Sequence, residues 1–543
     1  MAEDSEKIKS CFGSELAFGT GGMRGIIGPG LNRINRYIVR RATQGLARYL
    51  NGLKRAPEEK KVAIAYDTRQ FSREFSIEAA RTLAANGITA LIFDGVRPTP
   101  ELSFAVRRLG CAAGIVITAS HNPPHYNGYK VYGPDGGQGV SPFIDRVAQS
   151  IAGVDLFDDV LTISAEEARR AGLIRAIDPG VDEAYLEAIR SLSLSRPQTV
   201  LKVVFTPLHG TGAVHIPALL SERPFIELYP VKAQMVPDPL FGTVKVPNPE
   251  DPAAFELALE LARRKGAELV LATDPDADRV GCAVRDGEGR YRHLNGNEIG
   301  ALLLDYLLGR LAEGGALPEN AVMIKTIVTG DLGRKVAGAY GVETMETLTG
   351  FKYIGEKMSE FAESGEHSFI FGYEESYGFL AGTFERDKDA VLSAYLIAEM
   401  AAYHKERGLN LLQALEALFR RHGYYREDLV SIGLTDQAGS DKVMCSFTRV
   451  PPVLAGERVV EKRDYAEGKS FDLVNKKESP LELPCSRVLY YRLESGAWFS
   501  IRPSGTEPKL KLYFSASGDS AAAAEAKLAS LKKEVLHLAG IEP

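Results

Sequence analysis

Short runs of β-branched and apolar residues end abruptly in polar, Gly-rich or Pro-rich loops, and many of these runs follow helical patterns. In the clearest case, Asp251 and Pro252 favour a helix start, Gly266 favours its end, and residues 268–272 predict a buried strand. Alternation of helices and buried strands is typical of α/β domains. We therefore expect an α/β protein whose ligands bind beyond the carboxyl ends of its strands.

Four predicted strands of this kind end in loops with polar side chains. Each is followed at once by a polar loop, and the strand and loop pairs are 62–66 with 67–69, 114–117 with 118–121, 203–205 with 206–212, and 268–272 with 273–279. Side chains in these four loops are the first candidates for a functional site.

The last hundred residues have a different pattern. Ser495 and Gly496 form a turn signal between predicted strands at 488–493 and 498–501, and residues 521–538 predict a helix. A chain of 543 residues contains about 3.6 domains by the usual length prior. We expect domain boundaries near residues 200, 320 and 440, which gives domains 1–200, 201–320, 321–440 and a smaller α+β domain 441–543.

Charge and cysteine content exclude several classes of protein. Lys and Arg number 65 against 71 Asp and Glu, a net charge of −6, so no basic footprint for nucleic acid is present. No apolar run approaches the roughly 18 residues that span a bilayer. The five scattered cysteines include no C-x-x-C pair, which argues against a disulfide scaffold or thiolate zinc site. A cytoplasmic protein without membrane partners is expected.

Three aspartates in one strand-end loop predict a metal site. Asp274, Asp276 and Asp278 alternate with small residues, and clustering them without a cation would cost charge repulsion. An EF-hand is excluded because Arg279 and Arg285 stand where its Gly and Glu are required. Three carboxylates leave room for a substrate oxygen on Mg²⁺, which rarely takes a complete protein cage.

A serine follows another of these strands. Ser120 stands beside His121, with Lys130 downstream, and a serine can form a covalent intermediate when a base or cation activates it. The loop is also rich in turn signals, so a plain turn is the alternative. The chain has no G-x-S-x-G motif, which excludes the nucleophile elbow of α/β-hydrolases.

Two further loops have groups suited to a sugar phosphate. One loop contains Arg502, two hydroxyl side chains and a glycine amide, which can all donate hydrogen bonds to a phosphate group. A plain connection between two strands is the alternative. Glu374 and Ser376 would suit sugar hydroxyls. The Gly-rich stretch 18–25 lacks the spacing of an ATP or dinucleotide loop.

Taken together and in this order, these loops resemble the α-D-phosphohexomutase superfamily, most closely the bacterial branch of the phosphoglucomutase/phosphomannomutase family. The resemblance covers nearly the whole chain. It implies four domains around a central cleft, three of them related α/β units with mixed sheets and the fourth the smaller C-terminal α+β domain.

The resemblance also implies a role for individual residues. Ser120 would be the phosphorylated serine, and Mg²⁺ would be held by Asp274, Asp276, Asp278 and a phosphoryl oxygen on Ser120. Candidates for acid/base or charge-stabilising work are Arg24, His121 and Lys130. Substrate-binding candidates are Arg279, Lys352, Glu374, Ser376, Arg502, Ser504, Gly505 and Thr506.

The implied activity is reversible conversion of glucose 1-phosphate to glucose 6-phosphate, through phosphoserine and glucose 1,6-bisphosphate. Tyr373 precedes Glu374 where the family often has Gly, so phosphopentomutase or phosphomannomutase activity stays open. A non-catalytic sugar-phosphate sensor is the alternative from another class. The sequence leaves the oligomeric state open.

Overall fold

The computed structural model describes residues 2–19, 22–54, 56, 59–433, 437–503 and 509–541. The chain divides into two units, residues 1–324 with 350–412 and residues 325–349 with 413–543. Within the described ranges, no helix is long and apolar enough to cross a membrane.

The first sheet of the first unit is mixed, as predicted. Its region contains α1 (Ala2–Phe12), β1 (Gly22–Ile26), α2 (Arg36–Gly52), β2 (Lys61–Tyr66), α3 (Ser72–Ala85), β3 (Thr89–Ile92), α4 (Thr99–Arg108), β4 (Ala113–Ile117), β5 (Tyr126–Tyr132), α5 (Phe143–Ala152), α6 (Ala165–Arg170), β6 (Ile174–Ala176) and α7 (Gly180–Ser191). The strand order is β1-β5-β4-β2-β3-β6. β2 is parallel to both β3 and β4, whereas β5 is antiparallel to β4 and β1. Helices α2, α3 and α5 contribute Leu46, Leu83 and Val147 to its core.

A second mixed sheet follows in the same unit. Its region contains β7 (Leu201–Thr206), α8 (Ile216–Ser221), β8 (Ile226–Pro230), α9 (Glu256–Lys265), β9 (Leu269–Thr273), β10 (Val280–Arg285), β11 (Tyr291–Leu294) and α10 (Gly296–Glu313), with strand order β11-β10-β9-β7-β8. The predicted helix signals are confirmed. The Asp251 carboxylate accepts the N–H of Ala253 at 2.9 Å in a 3₁₀ turn that leads into α9, and Gly266 ends the helix at φ 63°.

The next stretch of chain, residues 321–422, contributes elements to both units. It contains β12 (Ala321–Thr326), α11 (Leu332–Ala339), β13 (Glu343–Thr347), α12 (Phe351–Ser364), β14 (Ser368–Glu374), β15 (Gly378–Ala381), α13 (Ala390–Glu406) and α14 (Leu411–His422). In the first unit, β14 and β15 form an antiparallel hairpin whose turn contains Ser376. The second unit contains α11 and β13.

The C-terminal part of the second unit is an antiparallel sheet covered by a helix. It contains β16 (Tyr424–Gly433), α15 (Gln437–Ser446), β17 (Val453–Leu454), β18 (Glu457–Asp464), β19 (Lys469–Asp472), β20 (Lys477–Pro480), β21 (Leu489–Leu493), β22 (Trp498–Pro503), β23 (Lys509–Gly518) and α16 (Ala521–Leu538). The order is β16-β23-β22-β21-β18-β19-β20, with β17 on β18. Leu531 and Val535 of α16 pack against Leu512 and Phe514 of β23 in one core. The predicted hairpin, terminal helix and α+β character are confirmed.

Candidate active site

The serine loop begins where buried strand β4 ends. Ser120 is 3% exposed and has a left-handed backbone, with φ 51°. Its hydroxyl donates to Oδ2 of Asp274 at 2.6 Å, and Nδ1 of His121 lies 3.3 Å from Ser120 Oγ. The predicted nucleophile and the predicted metal loop are therefore in direct contact, although 154 residues separate them in the chain.

The aspartate loop leaves strand β9 in a tight turn. Asp274, Asp276 and Asp278 are all buried, and one oxygen from each lies within 4.8 Å of the others. Oδ1 of Asp274 accepts the N–H groups of Asp278 and Arg279, each at 3.1 Å, so the loop curls around its own first carboxylate. Gly210, in the predicted loop 206–212, allows this turn to pack closely against it. A Cβ at that position would come within 2.5 Å of the Pro275 backbone.

Two lysines neutralise the aspartates. Lys130 Nζ lies 3.0 Å from Asp276 and 3.6 Å from Asp278, and Lys388 Nζ lies 2.7 Å from Asp278. Burial alone would raise the pKa of Asp276, but Lys130 and Lys388 hold it below its usual range. Burial and the neighbouring charges of Asp276 and Asp278 raise the pKa of Asp274 well above its usual value. The site thus contains carboxyl groups in contrasting electrostatic environments.

The donor set fits a hard cation. Oδ1 of Asp276 and Oδ1 of Asp278 are buried and accept no hydrogen bond among the described residues. Buried carboxylate oxygens without partners are costly unless a cation or donor satisfies them. Oxygen ligands are the ones that Mg²⁺ and Ca²⁺ prefer.

The other predicted acid/base candidates lie around the serine loop. Arg24 is exposed and donates to Oδ1 of Asn122 at 2.8 Å. His121 is half-buried, and desolvation together with the positive charges of Arg279 and Arg24 lowers its pKa well below its usual value. Its imidazole is therefore neutral at pH 7, and the same surroundings make it a weaker base than a solvent-exposed histidine.

Arg279 belongs to the metal loop itself. Its guanidinium pairs with Glu250, and its Nε lies 3.8 Å from Oδ1 of Asp278. The structure thus places this predicted substrate-binding arginine directly beside the aspartates.

The predicted sugar loop is the turn between β14 and β15. Glu374 is 4% exposed and accepts the N–H of Gly350 at 2.9 Å, immediately before α12. Burial raises the pKa of Glu374 to about 7. Ser376 is half-buried in the turn, and Lys352 is half-buried in the first turn of α12, with its ammonium 4.8 Å from the Tyr353 ring. The Glu374–Gly350 bond brings two predicted substrate-binding segments together.

The predicted phosphate loop belongs to the second unit. Arg502 is half-buried near the end of β22, paired in register with Lys511 of β23. Ser504, Gly505 and Thr506 lie outside the described residues.

Sequence reasoning missed Lys388. It stands in the charged run 385–389, which a sequence pattern assigns to a solvated surface, yet these five residues are all buried. Tyr132 and Tyr185 donate hydroxyls to Asp387 and Asp389 at 2.7 and 2.8 Å. The only sequence signal was the abrupt change from apolar residues to five consecutive charges just before a helix.

Four family models match the chain in order. They are Phosphoglucomutase/phosphomannomutase alpha/beta/alpha domain I at residues 15–156, domain II at 183–287, domain III at 295–422, and the C-terminal domain at 455–531. A protein named phosphoglucomutase from Staphylococcus epidermidis is 40% identical over 528 residues, covering 95% of this chain and 93% of that protein.

Two solved structures share the fold. The phosphoprotein pp63/parafusin (phosphoglucomutase) from Paramecium, in its open form, matches with TM-score 0.71 and 18% identity over 97% of this chain and 95% of that one. Aspergillus fumigatus N-acetylphosphoglucosamine mutase, in complex with GlcNAc-6P and magnesium, matches with TM-score 0.54 and 13% identity over 97% of this chain and 96% of that one.

Proposed function

This chain belongs to the phosphoglucomutase/phosphomannomutase family, and we propose that it is a phosphoglucomutase that interconverts glucose 1-phosphate and glucose 6-phosphate. The full-length similarity to a protein named phosphoglucomutase supports this substrate. Mg²⁺ is the proposed cofactor, and glucose 1,6-bisphosphate is the proposed intermediate.

The contact between Ser120 and Asp274 carries the proposal. A buried hydroxyl 2.6 Å from a carboxylate, beside two further buried aspartates, supplies a nucleophile next to a cation site. A protein that only senses sugar phosphates has no need of such a nucleophile. The site therefore favours group transfer over simple binding.

Phosphoryl transfer would proceed in two symmetrical steps. A hydroxyl oxygen of the sugar phosphate bonds to the phosphorus on Ser120 as the bond to Ser120 Oγ breaks, giving glucose 1,6-bisphosphate. After the intermediate reorients, Ser120 Oγ attacks the other phosphoryl group and the sugar hydroxyl leaves. Asp274, Asp276, Asp278 and a phosphoryl oxygen would hold Mg²⁺, which when bound neutralises charge developing on the phosphoryl group.

Protons must move at both oxygens. In the first step the attacking sugar hydroxyl loses a proton and the departing Ser120 Oγ gains one. In the second step Ser120 Oγ loses that proton and the departing sugar oxygen gains one. Among the predicted acid/base candidates, His121 places its Nδ1 3.3 Å from Ser120 Oγ, within reach of that proton. Lys130, which contacts Asp276, and Arg24, which contacts Asn122 of the serine loop, would stabilise the transferring charge.

Sugar and phosphate recognition would come from the remaining predicted residues. Glu374 and Ser376 would bind two sugar hydroxyls in either orientation of the intermediate. Charges that would bind the phosphate groups are carried by Arg279, Lys352 and Arg502, assisted by Ser504, Gly505 and Thr506. Separate groups for the sugar hydroxyls and for the phosphates would explain how one site accepts the same bisphosphate in two orientations.

A coupled assay of glucose 1-phosphate conversion, with trace glucose 1,6-bisphosphate and Mg²⁺, tests the proposal. We expect turnover that a Ser120→Ala variant lacks. Mannose 1-phosphate and ribose 1-phosphate, assayed at the same concentration, should react more slowly. Absence of turnover with glucose 1-phosphate, or faster turnover with either competitor, would refute the glucose assignment.

A further inference from the structure

The strand-end loop 67–69 is one of the four predicted candidate loops, and it has no role in the proposed phosphoryl transfer. It follows β2, which pairs in parallel with β4, so it emerges beside the serine loop. The Asp67 N–H donates to the Ile117 carbonyl at 3.1 Å, and this hydrogen bond joins the two loops where they leave their strands.

The Arg69 guanidinium binds the serine loop through its carbonyl groups. Nη1 donates to the carbonyls of Pro123 at 2.9 Å and Tyr126 at 3.2 Å, and Nη2 donates to those of Ser120 and Asn122. One fully buried side chain therefore gathers four carbonyls of a single loop. A planar fork with several donors suits this task, whereas the single ammonium of lysine cannot reach four such acceptors.

A second chain of hydrogen bonds holds the other side of Ser120. The Thr118 hydroxyl donates to Oδ2 of Asp67 at 2.6 Å and accepts the N–H of Ser120 at 2.8 Å. Asp67 also accepts the Arg69 N–H at 2.9 Å. Both the N–H and the carbonyl of Ser120 are thus fixed by loop 67–69, directly or through Thr118.

The backbone of Ser120 needs this support. At φ 51° it occupies the left-handed region that residues with a Cβ adopt only when their surroundings impose it. We propose that Arg69, together with Asp67 and Thr118, is a positioning residue that holds Ser120 in this conformation and so aims its hydroxyl at Asp274. The inference rests on the proposed function for its catalytic consequence.

The contacts of Arg69 predict which kinetic constant changes. Its partners are loop carbonyls, Asp67 at 3.4 Å and the Phe241 ring at 5.0 Å, and none is a predicted sugar-binding residue. A nucleophile held in the wrong orientation slows the chemical step and lowers kcat. Substrate contacts made by other residues are kept, so KM is unaffected. An Arg69→Lys variant should therefore lose kcat by about 100-fold with KM unchanged.

The test compares Arg69→Lys with Arg223→Lys. Arg223 is a matched control because it also contacts a carboxylate, a carbonyl and an aromatic ring, in Glu399 at 2.5 Å, Ser195 at 2.9 Å and Phe225 at 4.7 Å. Two readouts are taken from each protein: steady-state kinetics with glucose 1-phosphate, and hydrogen exchange of the backbone amides in residues 118–126. We expect faster exchange in that segment and the kcat loss only in Arg69→Lys.

Thr118→Val gives an independent version of the test if Arg69→Lys does not fold. It keeps the side-chain shape and removes the hydroxyl that links Asp67 to the Ser120 N–H, so the same signature is expected. Unchanged exchange in residues 118–126, or equal kcat loss in the Arg69 and Arg223 variants, would overturn the role of Arg69. A wild-type protein without turnover would instead overturn the proposed function, while the exchange data would still decide whether Arg69 holds the loop.

Discussion

Replacing Lys388 by Met should destabilise the metal-free protein strongly. Lys388 Nζ lies 2.7 Å from Asp278, and both side chains are buried. At that distance, an effective dielectric constant of about 20 gives an attraction of about 6 kcal/mol. Part of this is offset by the cost of burying the lysine, and removing one partner of a buried pair typically costs about 3–5 kcal/mol. We expect that loss of unfolding free energy in Lys388→Met.

Urea unfolding in the presence of a chelator measures the effect. Lys405→Met is the matched control, because Lys405 also pairs with one carboxylate, that of Glu268, but both side chains are about one-third exposed. An exposed pair contributes about 0–1 kcal/mol, so the control should unfold close to the wild-type midpoint.

Mg²⁺ should reduce the difference in unfolding free energy between the wild type and Lys388→Met. A divalent cation bound by the three aspartates neutralises the charge that Lys388 balances in its absence, so the variant should gain more stability from the metal than the wild type gains. The reasoning is refuted if Lys388→Met costs no more than Lys405→Met, or if Mg²⁺ stabilises the variant and the wild type equally.

Three further predictions concern other parts of the chain. Ser120→Ala should take up no phosphate from glucose 1,6-bisphosphate, and a mass increase of the variant would contradict the nucleophile assignment. Arg502→Ala should mainly raise KM for both sugar phosphates, and unchanged affinity would count against its phosphate role. In the second unit, Lys325 lies 3.3 Å from both Asp331 and Glu346. Burial would raise their pKa values, but Lys325 and nearby arginines hold both at about 2. Stability from these depressed carboxyls is present above their unfolded pKa and is lost as pH falls through about 2. The stability deficit of Lys325→Met in urea should therefore narrow between about pH 4 and 2, and a constant deficit would contradict this account.

The loops that carry the chemistry could be predicted because their signals are local. Ser120 and Asp274 each follow a buried apolar strand, and strand ends in open α/β sheets are where ligands bind. Their contact at 2.6 Å agrees with that reasoning. The terminal helix 521–538 was equally predictable from its spacing.

Contacts that depend on strand order could not be predicted in the same way. Arg69 reaches the serine loop because β4 pairs with β2 on the side opposite β3, and no local pattern specifies that choice. Lys388 was missed for another reason. It belongs to a run of five consecutive charged residues. The free-energy cost of burying this run is offset by partners such as Asp278 and Tyr132, which come from distant parts of the sequence. Pairing between charges that are far apart in the chain produces no periodic pattern in the sequence.

The left-handed conformation of Ser120 has a consequence for selection. Such a conformation costs of order 1–3 kcal/mol in a residue with a Cβ, and glycine adopts it without that cost. A population screened only for thermal stability would thus gain from Ser120→Gly, which removes the strained Cβ and the hydroxyl together and would leave the protein inactive. Retention of serine at position 120 in a natural lineage would therefore record selection for activity against selection for stability.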